Sequence, residues 1–106
     1  MYYIVEEKPP IFYPIEFEYK QHIFEAQIGL LDNNKIMISF AVTRSVEEQD
    51  FCKKLQKSRG TILIFKINHI PLQAKVDTSS FTMNQEQTQF RDCNIIFENS
   101  LMLCKE

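Results

Sequence analysis

Three cysteines, two histidines and the alternating carboxylates Glu16 and Glu18 are the residues of this 106-residue chain that first suggest chemistry. A cysteine attacks as its thiolate, so it needs a neighbouring base or positive charge. Cys93, beside Asp92, and Cys52 are the candidates, with His22 or His69 as the base. Cys52 falls in helical phase with Phe51 and Leu55, however, and Cys93 alternates in phase with Ile95 and Phe97. Both positions therefore predict small buried hydrophobes rather than nucleophiles. The carboxylates Glu16 and Glu18 are two residues apart, a spacing that sets a general acid beside a base on one strand face. The strict alternation Ile15-Glu16-Phe17-Glu18-Tyr19 accounts for them more simply, as the wet face of a half-buried strand.

Metal and phosphate chemistry find no support in the spacing. The histidines stand far apart, and no Cys-x-x-Cys or helical i, i+4 pair gives a shared ligand face. Gly29 and Gly60 are isolated and cannot form a glycine-rich phosphate loop. No cofactor or metal is expected. An odd cysteine count without paired spacing predicts reduced thiols, no disulfide and a cytoplasmic setting. The segment Met1 to Lys8 carries charge before an apolar run reaches signal-peptide length, and no run approaches the roughly 20 residues of a spanning helix. No membrane association is expected.

Binding chemistry is better supplied. Net charge is −2, yet it is banded: −4 over residues 1–33, +5 over residues 34–75 and −3 over residues 76–106. Banding of this kind steers charged partners. The basic cluster Lys53, Lys54, Lys57 and Arg59 can meet nucleic-acid phosphates, with Tyr2, Tyr3, Phe12 or Tyr13 to stack bases. The same cations also complement the negative end of a helix dipole. Two further segments suit a protein partner: the proline-aromatic stretch Glu6 to Tyr13, and a polar stretch Asp77 to Gln89 carrying Phe81 and Met83, predicted to be a long loop.

Positioning these residues requires a definite set of elements. His22 to Leu31 and Lys35 to Val42 alternate on either side of Asp32-Asn33-Asn34-Lys35, where Asn33-Asn34 suits the two positive-φ positions of a type I′ hairpin turn. Ser45-Val46-Glu47-Glu48 has capping-box spacing, acids precede Lys53, Lys54 and Lys57, and Gly60 follows, predicting a helix over about residues 46–57. Thr61 to Ile70, apolar in both phases over its first half, predicts a central strand covered on both faces and ended by Pro71. Tyr2 to Val5 and Leu72 to Val76 read as short strands, and Cys93 to Phe97 with Leu101 to Cys104 as a closing hairpin around Glu98-Asn99-Ser100.

The expected class is α+β: one domain over residues 1–106, a mainly antiparallel sheet of six to eight short strands, and one helix between a hairpin and a central strand. Three functions are compatible with it. The first is a non-enzymatic module that occupies a protein partner, as inhibitor, immunity or accessory proteins do, through Phe12, Tyr13, Glu16, Glu18, Phe81 and Met83. The second is a single-stranded nucleic-acid or nucleotide binder using Lys53, Lys54, Lys57 and Arg59, and the third a cysteine-dependent enzyme.

Overall fold

A computed structural model of the chain describes residues 11–32, 34–98 and 101–104. The expected strand Tyr2 to Val5, its Pro9-Pro10 stop, and Tyr2 and Tyr3 as stacking residues lie outside them. The strands are β1 (Phe12–Tyr19), β2 (His22–Leu30), β3 (Ile36–Ala41), β4 (Ile62–Ile67), β5 (Ile70–Met83), β6 (Phe90–Phe97) and β7 (Met102–Leu103), with one helix, α1 (Val46–Leu55), between β3 and β4. Six of them form an antiparallel barrel in the order β1-β2-β3-β6-β5-β4, closed by β4 on β1, and β7 lies along β5. The α+β expectation thus resolves into a barrel with one helix.

Period-two alternation gives the closed sheet an apolar inner face. Phe17, Phe24, Phe40, Phe65 and Phe97 point inward from five different strands, and Ile38, Val76, Cys93 and Ile95 fill between them. The Phe17 ring centroid lies 5.2–6.0 Å from those of Phe24, Phe40, Phe51 and Phe65. Phe51 belongs to α1, which drives Phe51, Cys52 and Leu55 into the barrel.

Two hairpins turn through consecutive non-glycine residues at positive φ. Lys20 and Gln21 (φ 47° and 69°) join β1 to β2, and Asn68 and His69 (φ 49° and 70°) join β4 to β5, each pair supplying the two positive-φ positions of a type I′ turn. The β2–β3 hairpin forms as expected but closes differently. Leu31 N–H donates to Lys35 O (2.7 Å), Asn34 N–H donates to Leu31 O (3.1 Å), and Asn34 takes φ 63°. The connection is therefore three residues long, closed by Leu31 and Lys35, with Asn34 in the left-handed position; Asn33 lies outside the described residues. In β2, Gly29 leaves room for the Phe12 ring across the ladder, since a Cβ there would sit 2.6 Å from Phe12 Cε1.

Other expectations are corrected. The helix ends at Leu55, two residues early, because the chain tightens into successive turns (Lys57 N–H to Lys54 O, Ser58 N–H to Leu55 O) and the Ser58 hydroxyl donates to Lys54 O. Gly60 (φ 80°) serves the entry to β4, where its N–H donates to Val76 O. Ser45 caps the first turn by accepting from Glu48 N–H, but Glu48 does not complete the box; Ser45 N–H donates to the Thr43 hydroxyl instead.

The long loop expected from Asp77 to Gln89 is mostly strand. β5 continues to Met83, pairing with β4 through its first half and β6 through its second, with a register shift between Val76 and Thr78. Its polar Thr78, Ser80 and Thr82 alternate with Ser79, Phe81 and Met83, a strand rhythm carried by residues too polar to announce it. Nor do Cys93 to Phe97 and Leu101 to Cys104 form a hairpin. Both edges of β6 are taken by β3 and β5, so β7 pairs with Leu72 and Gln73 of β5; Asn99 and Ser100 lie outside the described residues. Finally, β4 is covered on one face only. Leu63, Phe65 and Ile67 are buried, while Ile62 and Ile64 face outward, 64% and 60% exposed.

Candidate functional site

The barrel is incompletely closed at one seam. β4 pairs with β1 only through Ile67 with Phe17 and Lys66 with Glu18, extended by Asn68 N–H donating to Glu16 O (2.9 Å). Continuing that register would set Lys20 opposite Ile64, but β1 has already turned back at Lys20-Gln21. The N-terminal half of β4 therefore has no neighbour on that side among the described strands.

Ladder alternation says which backbone groups this leaves free. The β4–β5 hairpin closes on Ile67 and Ile70 around its two-residue turn, so odd-numbered residues of β4 direct their N–H and C=O to β5. Even-numbered residues face β1, as Asn68 does. The backbone polar groups of Ile62 and Ile64 consequently point into the seam.

A groove of about 850 Å³ runs along it. Ile62 and Ile64 line its floor; Tyr19, Lys20, Lys54 and Lys57 stand on the side of the β1–β2 turn and the helix end, and Lys66, Pro71 and Cys104 also border it. Four lysines face a single acid, Glu18, whose carboxylate lies 3.9 Å from Lys66 Nζ. In a chain of net charge −2 this is a local excess of positive charge. Tyr19 does not offer an open ring. It stacks on Phe51 at 4.4 Å, Lys54 Nζ donates to its hydroxyl and lies 5.0 Å from its ring centroid, and Lys20 Nζ lies 5.5 Å from the same ring.

The residues predicted from sequence are scattered around this groove. Of the basic cluster, Lys54 and Lys57 border it, while Lys53 and Arg59 are exposed outside it. Of the partner-binding set, Glu18 alone lines it. Phe12 lies over Gly29, Tyr13 is exposed on β1, and Glu16 sits 3.6 Å from His69 Nε2 beyond the seam. Phe81 and Met83, expected on a loop, are half-buried on β5, where Phe81 packs 5.0 Å from Phe90. Glu16 and Glu18 thus engage different partners, and no acid–base couple is assembled.

The two thiols considered as nucleophiles, Cys52 and Cys93, are poorly placed for it. Cys52 and Cys93 are fully buried, and the hydrogen bond between them, together with burial, pushes the Cys93 thiol well above its ordinary value. His22 is engaged elsewhere: its Nε2 lies 2.8 Å from Glu48 Oε2, and Glu48 Oε1 accepts from Thr43 N–H at 2.9 Å. No group of three or more His, Cys, Asp or Glu among the described residues is placed to hold a metal ion. No described helix is long and apolar enough to cross a membrane.

Sequence reasoning missed Ile62, Ile64, Lys20 and Lys66. The available signal was the phase of Ile62 and Ile64, opposite to Leu63 and Phe65, but phase cannot say that the outer face lacks cover. No protein-family model, curated protein or solved structure matches this chain.

Proposed function

We propose that this domain is a non-enzymatic binding module that receives a segment of a protein partner in the groove along β4, in the manner of an accessory, immunity or inhibitor protein. The observation that carries the reading is the pair Ile62 and Ile64, side by side in phase and more than half exposed on the floor of a lysine-rimmed groove. Covering what they expose supplies roughly 2–4 kcal/mol, the contribution of an apolar anchor. Rim lysines add steering and orientation more than affinity.

A single-stranded nucleic acid is the second reading, favoured by Lys54 and Lys57 standing with Lys20 and Lys66 at one groove. Sequence-tolerant binding of single strands relies on open aromatic faces, and the Tyr19 ring is already engaged by Phe51, Lys54 and Lys20. The exposed floor is aliphatic, which suits a polypeptide better.

A peptide-display selection tests the protein-binding reading, with the purified chain and its Ile64→Asp variant as parallel baits. Ile64 is 60% exposed, so its replacement opens no core cavity; with an unchanged circular dichroism spectrum, the variant should bind peptides enriched on the parent at least about tenfold more weakly. A selection that enriches nothing, or whose peptides bind both baits equally, counts against the groove.

A further inference from the structure

We infer that the partner is captured by strand addition: an extended, acidic polypeptide segment pairs its backbone with β4 at Ile62 and Ile64 and completes the seam that β1 leaves open. The inference rests on the binding reading above and specifies its mode and its ligand class.

Backbone geometry is the first support. The N–H and C=O groups of Ile62 and Ile64 point into the groove with no described strand alongside, and such an edge recognises an extended chain through main-chain hydrogen bonds. The stretch of β4 beyond the end of β1, residues 62–64, spans about 10 Å, enough for three residues of an added strand.

Charge supplies the second. Lys20, Lys54, Lys57 and Lys66 surround the edge, and Glu18 is the single acid among the lining residues. A basic or neutral strand would leave this field uncompensated, whereas glutamates or aspartates complement it. A second copy of the same edge is disfavoured by the same lysines, which would be brought together with like charge; edge lysines are a common protection against self-pairing. Ile62 and Ile64 provide the third support, since they share the outward face with alternate side chains of an added strand, where apolar β-branched residues pack best. The preferred segment therefore alternates β-branched and acidic residues.

The test uses the full chain, isotope-labelled for amide NMR, titrated with an eight-residue peptide alternating valine and glutamate. Two analogues of that peptide are N-methylated at every second amide, one in each phase, and an eight-nucleotide oligothymidine serves as the competing class. Because one phase of peptide amides faces β4, one analogue should bind at least about tenfold more weakly while the other retains most of the affinity. The largest shifts should fall on the Ile62 and Ile64 amides, and a Lys54→Glu, Lys57→Glu variant with an otherwise native spectrum should weaken the parent peptide to a similar degree. If both analogues bind like the parent at the groove, strand addition is wrong while the groove remains a peptide site. If the peptides fail to bind, the inference is overturned, and the display selection shows separately whether the groove binds any protein segment; binding of oligothymidine instead would assign the lysines to phosphates.

Discussion

Glu48 is a carboxylate buried where α1 meets the barrel, and it holds two otherwise separate pieces of chain. It accepts from the Thr43 amide ahead of the helix and pairs with His22 at the start of β2. Removing it leaves a backbone donor and an imidazole without their acceptor, so Glu48→Ala should lower unfolding stability by about 2–3 kcal/mol. His22→Ala should cost about 1 kcal/mol, because the imidazole is about a third exposed and solvent screens it. Urea midpoints give both values, and near-equal losses would mean that the contact with His22, not the amide cap, dominates. The buried thiols make a second prediction. Raising the Cys93 pKa on folding means that this thiol's contribution to stability is complete below the ordinary thiol value of 9.0 and declines above it, where the unfolded chain ionises and the folded one does not. Stability should therefore fall above about pH 9, by up to about 1.4 kcal/mol per pH unit from this group, and the slope should be shallower in Cys93→Ala. Equal slopes in the two proteins would refute that assignment.

At the scale of elements, the turns carry strain that the strands hold in place. Asn68 earns its position because its Oδ1 accepts from Glu16 N–H, tying the β4–β5 turn to β1. His69, by contrast, takes φ 70° with an exposed ring and only a weak contact to Glu16. Glycine adopts that backbone without steric cost, and Asn-Gly is the preferred type I′ pair. His69→Gly should accordingly stabilise the fold by about 0.5–1 kcal/mol in thermal or urea unfolding; a destabilised variant would show that the imidazole matters to the seam. The same turn explains why Thr61 to Ile70 reads as one strand in sequence. Asn-His is not a strong turn signal, and Pro71 two residues later looks like the natural stop, although it sits inside β5 opposite Lys66.

Across the whole molecule, the seam between β1 and β4 makes a prediction independent of any ligand. Along one short strand, amide protection should alternate: Leu63 and Phe65, directed to β5, should exchange at least about a hundredfold more slowly than Ile62 and Ile64, directed to the groove. Hydrogen exchange followed by NMR reads this directly, and uniform protection along β4 would mean that the seam is closed in solution.

Much of the local structure was legible in the residues themselves. The alternation of β1, β2 and β3, the Ser45 cap and the inward phase of Cys93, Ile95 and Phe97 follow from period and propensity, which act between residues a few positions apart. The end of α1, the length of β5 and the partner of β7 were not, because each depends on which edge or cap was already occupied elsewhere. The groove belongs wholly to this second kind. Ile62 and Ile64 are indistinguishable in sequence from core isoleucines; their exposure depends on β1 turning back at Lys20-Gln21, more than forty positions earlier. Sequence alone determined which side chains share a strand face, since that is covalent geometry with a fixed period. Tertiary structure decided which face and which edge remained open, since that depends on the lengths of strands distant in the chain that meet only when the barrel closes.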